Sequence, residues 1–168
     1  MTLSLDYIAG LIDADGSFSI SVSKNRYKKA DGTSTAQFGF VINFRQLEIA
    51  AKVLEEIQLV LGGGSIYTHS HSGYQKMLTW QTTRGEESRR IAKILLPFLH
   101  IKNNSCELFI RALDLWLDTP REFGKGSGKP RIPDWVREEV IEISSQMNPS
   151  QQKETSRRNK EIRDVVLV

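Results

Sequence analysis

The sequence predicts an α+β domain with elements in the order αββαββα. Four strands form one antiparallel sheet backed by helices, and an extra helix lies toward the C-terminus. Three observations predict this. Apolar and polar residues alternate along 17–23 and again along 37–44, on either side of a polar turn. Two shorter alternating runs, 65–71 and 75–81, are joined at Ser72-Gly73. Apolar residues at helical spacing occupy the segments before, between and after these two hairpins.

The first helix spans 7–14, where Ala9, Gly10 and Ala14 leave one face nearly bare of side chain. Glycine inside a helix costs about 1 kcal/mol relative to alanine, so Gly10 points to close approach by another backbone. In the first strand Phe18, Ile20 and Val22 alternate with Ser17, Ser19, Ser21 and Ser23. After a turn at 29–34, Phe38, Phe40, Ile42 and Phe44 alternate with Gln37, Gly39, Val41 and Asn43. Leu47, Ala50, Ala51, Leu54, Ile57, Val60 and Leu61 then follow helical spacing as far as Gly62-Gly63-Gly64, which stops the helix.

The second hairpin offers Ile66, Leu78 and Trp80 to the core. Helices over 86–96 and 104–117 follow, separated by Pro97-Phe98-Leu99-His100-Ile101-Lys102. A Gly- and Lys-rich connection at 124–130 leads to a last helix over 133–147, and 149–168 is polar and basic until its apolar end. A single domain covers 1–168, with a core of about 4–118 and a helical extension over about 131–168.

Composition narrows the class. No apolar run approaches the roughly 20 residues that span a bilayer, so no membrane partner is expected. The segment MTLSLDYIAG lacks the features of a secretory leader, which places the protein inside a cell, in the cytoplasm of a prokaryote or in an organelle. The single cysteine, Cys106, cannot form an internal disulfide and lies among apolar residues of a helix, so it reads as core.

The formal net charge is only +3, but it is unevenly spread. Residues 17–45 carry five basic side chains against Asp31, and 65–84 carry Lys76 and Arg84 with no acid. A sheet with one face covered by helices leaves the other open, and a basic, polar open face suits a phosphate backbone. A β surface also fits the major groove, where base edges are distinguishable. The candidate contacts are Ser19, Ser21, Ser23, Asn25, Arg26, Lys28, Gln37, Asn43, Tyr67, His69, His71, Gln75 and Lys76.

Asp13 and Asp15 fall at the end of the first helix, where the macrodipole disfavours negative charge. Such a pair serves either turn chemistry or a hard divalent cation, which takes carboxylate and carbonyl oxygen. The string Ile8-Ala9-Gly10-Leu11-Ile12-Asp13-Ala14-Asp15-Gly16 differs at one position, Ile8 for Leu, from the motif that names the LAGLIDADG homing endonucleases. The chain resembles a single-motif member of that family from about Tyr7 to Trp116.

The resemblance implies that Asp15 holds a catalytic Mg²⁺ or similar ion, with the Ala14 carbonyl beside it. Gln46, at the start of the helix after the second strand, would orient water, and Lys102, closing the Pro97–Lys102 segment, would stabilise charge on phosphate. The basic residue that the family often carries one turn beyond the glutamine is Ala50 here, which leaves Arg45 and Lys52 as neighbouring cations. With only one motif, the resemblance implies a homodimer with Ala9, Gly10 and Asp13 at its seam, where Asp13 anchors the motif helices. It also implies a nearly palindromic target in double-stranded DNA, cut with a stagger.

Alternatives are an intron maturase that binds RNA to assist splicing, and a regulator that binds DNA without cutting. Other signals are discounted. His69 and His71 have no Cys partner nearby for zinc. Gly124–Lys129 is one residue short of a phosphate loop, and Pro130 replaces its Ser or Thr.

Overall fold

The computed structural model describes residues 2–28, 34–69, 76–123 and 130–147, with side chains described except at 23–28, 34–36 and 130. Helix α1 (Leu5–Asp15) starts at Ser4, whose hydroxyl accepts the Tyr7 N–H at 3.3 Å, and carries Asp6 in its first turn. It ends at Gly16 in extended conformation, so the chain runs directly into β1 (Gly16–Lys28). A Cβ at Gly16 would lie 2.8 Å from the Ile12 Cα. Close approach, not a left-handed backbone, requires glycine there.

Strand β1 pairs antiparallel with β2 (Ser34–Leu47), in a register that sets Gly16 against Phe44 and Ser23 against Gln37. The second hairpin supplies β3 (Ser65–His69) and β4 (Met77–Gln81), and β4 inserts beside β2 to give the order β1-β2-β4-β3. Trp80, at the sheet centre, therefore opposes both Phe44 and Ile66 and is fully buried.

The other helices are α2 (Ala51–Leu61), α3 (Gly85–Leu95), α4 (Asn103–Asp118) and α5 (Asp134–Met147). They bury Phe18, Phe40, Phe44 and Trp80 from the sheet in one apolar core with Leu54, Ile91, Phe109 and Val140. The Phe109 ring meets Phe18 and Phe40, and Trp116 meets Phe38 and Phe40. The C-terminal helix is part of this layer: the Ser144 hydroxyl donates to the Ile20 carbonyl of β1 at 3.2 Å.

Two expectations need correction. The helix foreseen from Leu47 begins as a single 3₁₀ turn at Glu48–Ala50, and α2 starts at Ala51. Leu47 stays in β2 opposite Met77, and Ile49 is 94% exposed, because the ladder to β4 runs past the point where helical spacing begins. The connection at 124–130 is framed by a two-residue ribbon, β5 (Glu122–Phe123) with β6 (Pro130–Arg131). Within the described residues no helix is long and apolar enough to cross a membrane.

Candidate active site and nucleic-acid face

The C-terminal end of α1 is held by a segment far away in sequence. One Asp13 carboxylate oxygen accepts the backbone N–H of His100 at 2.7 Å and of Ile101 at 3.2 Å, and the other accepts that of Lys102 at 2.8 Å. These groups lead into α4, whose own N-cap residue makes no side-chain capping bond, so Asp13 supplies the anionic acceptor that this end favours. Burial pushes the Asp13 carboxyl up. The three N–H donors and the nearby Lys102 charge outweigh it and hold the group below the ordinary carboxylate value.

Lys102 completes the bracket from its side chain. Its ammonium donates to the carbonyls of Ile12 at 2.8 Å and Asp13 at 2.6 Å. A cation on the last carbonyls of a helix is favoured by the macrodipole, which answers the problem raised by acidic residues at that end. An ammonium has three donors, and two of them are used here among the described residues.

Asp15 follows this bracket and is exposed, and its Oδ2 accepts from Gln46 Nε2 at 3.1 Å. Gln46 lies near the end of β2, where the β1–β2 register brings the strand alongside the α1–β1 junction. Asp15, Gln46 and Lys102 thus surround one helix end, with Lys102 linked through the Ile12 and Asp13 carbonyls. Ala14 is exposed beside Asp15.

The donors here fit a hard divalent cation, because Asp15 offers carboxylate oxygen and its Oδ1 makes no hydrogen bond among the described residues. They do not fit a cation that needs a complete protein cage. Among the described residues no group of three or more His, Cys, Asp or Glu could hold a metal ion.

Ala9 and Asp13, expected at a seam between chains, both turn into this chain. Ala9 is 0% exposed in the core and Asp13 only 7%, because its acceptors are used on residues 100–102. Gly10 does face outward: a Cβ built there meets nothing within 4 Å. Tyr7 is half exposed on the same helix.

The open sheet face carries Ser19 and Ser21, whose hydroxyls donate across the strands to the Val41 and Gly39 carbonyls. Gln37 and His69 are exposed, Tyr67 is 42% exposed, and Asn43 is partly covered between Ser17 and Gln81. Lys76 sits at the edge in an ion pair with Glu48 at 3.6 Å. Ser23, Asn25, Arg26 and Lys28 lie on the outer half of β1 by backbone alone, and His71 and Gln75 fall outside the described residues.

Sequence reasoning did not name Thr79 or Gln81 on this face, and it offered Arg45 as a cation neighbouring the candidate site. Strand alternation puts Arg45 on the side of Asn43 and opposite Thr79, to whose hydroxyl its Nε donates at 3.3 Å. That alternation was the available signal.

An open polar sheet, with a helix-terminal carboxylate held at one end by a charged bracket, defines a class of α+β domain built around a single acidic motif. Residues 8–110 match the family model described as LAGLIDADG endonuclease, and the chain belongs to that family. A comparison with curated protein sequences found no match.

Solved structures share the fold at low identity. The chain is similar to the homing endonuclease I-TnaI, with 20% identity and a TM-score of 0.72 over 96% of this chain and 99% of that one. An archaeal intron-encoded homing endonuclease complexed with DNA gives 20% identity and a TM-score of 0.65, over 86% of this chain and 82% of that one. The LAGLIDADG homing endonuclease I-GzeII, in complex with a DNA target, gives 21% and 0.67 over 88% of this chain but only 45% of that one.

Proposed function

We propose that the chain is a homodimeric, site-specific endonuclease that makes a staggered double-strand break in a long, nearly palindromic DNA site, using Mg²⁺ or another hard divalent cation. The observation that carries the reading is the Asp15–Gln46 hydrogen bond at a helix end clamped by Asp13 and Lys102. Family membership supports it, as do the structural neighbours whose titles describe DNA complexes. The chain contributes one motif carboxylate, so a second copy is needed for two strands, and Gly10 offers the bare outward backbone for that approach. Two such carboxylates brought close repel unless cations lie between them.

Phosphodiester hydrolysis needs an oriented water, charge neutralisation at phosphorus and relief of charge on the leaving oxygen. A bound divalent ion supplies Lewis acidity to that end. Asp15 would hold the ion through its carboxylate, with the Ala14 carbonyl next in the chain. Gln46 fixes the Asp15 rotamer through Nε2 and keeps its amide oxygen to accept from water. The remaining Lys102 donor meets a phosphate oxygen, where a preoriented cation stabilises developing negative charge.

The test incubates the protein and Asp15→Asn with a randomised duplex library and Mg²⁺, and sequences both cut ends and bound molecules. Cutting at one near-palindromic site is expected for the native protein. The variant should lose cutting while binding the same duplexes within a few-fold. Full cutting by Asp15→Asn removes that residue from the mechanism, and selective binding without any cutting by the native protein replaces nuclease with regulator.

A further inference from the structure

On the open face of the sheet, among the side chains described in β1 to β4, Arg45 is the one Lys or Arg. Its neighbours there include Ser17, Ser19 and Ser21 on β1, Gln37 and Asn43 on β2, Ser65, Tyr67 and His69 on β3, and Thr79 and Gln81 on β4. Among the described side chains of this face, Arg45 therefore stands without a second Lys or Arg beside it. It is also tethered. Its Nε donates to Thr79 Oγ1 at 3.3 Å, and Thr79 is only 3% exposed although it belongs to the open side of the ladder, between Arg45 and Tyr67.

A guanidinium held through Nε from a buried hydroxyl has lost much of its rotamer freedom, while Nη1 and Nη2 make no hydrogen bond among the described residues. That fork matches the O6 and N7 acceptors of guanine in the major groove, which is the geometry of bidentate arginine readout.

We propose that Arg45 reads one guanine in each half-site and that Thr79 positions it. This deepens the nuclease reading and rests on it. Arg45 adjoins Gln46, the partner of Asp15, so the guanine lies in the inner part of the half-site, toward the cut bonds.

The experiment sequences cut and bound molecules from a randomised duplex library for the full chain, Arg45→Ala, Arg45→Lys and Thr79→Val. The native protein should prefer guanine at one inner position. That preference should fall by roughly 10- to 100-fold in Arg45→Ala and Arg45→Lys, with other positions unchanged. Arg45→Lys keeps the charge and should keep overall binding. Thr79→Val keeps shape without the acceptor and should weaken the preference at the same position only.

An unchanged preference in Arg45→Ala overturns the proposal. So does a uniform loss of binding to all sequences with a salt slope reduced by about one, which marks a phosphate contact. A native protein that binds no duplex at low salt removes the nuclease reading, and this one with it; intact native cutting in the same experiment separates the two failures.

Discussion

Asp13 and Lys102 clasp each other in both directions: the Asp13 carboxylate accepts the Lys102 backbone N–H at 2.8 Å, while the Lys102 ammonium donates to the Asp13 carbonyl at 2.6 Å. One contact anchors the entrance of α4, the other the exit of α1. The two residues therefore hold the helix end that presents Asp15, without Asp13 itself facing the substrate side.

This clasp predicts a pH-dependent contribution to stability. The folded Asp13 carboxyl lies below its ordinary value, so its contribution is fully present above the unfolded carboxyl pKa of about 3.9 and disappears as pH falls through the lower folded value. Asp13→Asn keeps the shape but loses the charge, and should cost about 2 kcal/mol at neutral pH, in the range of hydrogen bonds to charged groups. Chemical denaturation at pH 7 and below pH 3 checks it: the gap between native protein and variant should shrink in acid. A gap that is constant with pH would exclude the carboxylate as its source.

The glycine turn before β3 should resist substitution for a packing reason. Gly64 has φ of +85°, and a Cβ there would lie 2.3 Å from the Trp80 indole nitrogen. That nitrogen donates to the Gly63 carbonyl, and Glu87 accepts the Gly64 N–H at 3.0 Å. Gly64→Ala combines left-handed strain with a clash against a fully buried ring and should destabilise by about 3 kcal/mol or more. Gly62 is also left-handed, but a Cβ there meets only Arg90 side-chain atoms at 3.8 Å and beyond. Gly62→Ala should cost about 1 kcal/mol, and thermal melts of the two variants would rank them.

Cys106 should be chemically silent in the native protein. Burial first, then the charges of Glu107 and Asp13, push its thiol up to about 12, and it is fully buried on α4 with Sγ against the Ala92 carbonyl. The thiolate is the reactive form. A thiol reagent at pH 8 should therefore react at the rate of unfolding, and quickly in denaturant. Fast labelling of the native chain would contradict the placement of this helix.

Elements with a local signature were legible in the residues. The alternation at Phe18, Ile20, Phe40 and Ile42 found both long strands and their buried face, whereas Gln46, which hydrogen-bonds Asp15, was named only through the family resemblance. The partners of the Asp13 anchor had no such signature, because its oxygens accept from backbone N–H groups 87 to 89 positions away. Backbone donors are carried by every non-proline residue, so residue identity does not reveal them. Ala9, expected at a seam between chains, is covered by the chain's own core, since a small side chain does not by itself reveal which neighbour packs on it. Leu47 and Ile49 satisfied helical spacing while β2 was still pairing with β4, and ladder hydrogen bonds prevailed over that spacing.

Gly10 separates the folding of one chain from the assembly of two. In a single chain a Cβ at this position meets open space, and alanine in a helix interior is favoured over glycine by about 1 kcal/mol. Gly10→Ala should therefore raise the stability of the isolated fold. In the proposed homodimer the same methyl stands between two closely packed motif helices and should weaken association. Sedimentation across a dilution series and denaturant titration of the same variant test both effects. A variant that is more stable as a monomer but dissociates at higher concentration than the native protein supports Gly10 at the seam. Equal or tighter association would move the interface off this face of α1, since a methyl group cannot be added to close backbone packing without displacing it.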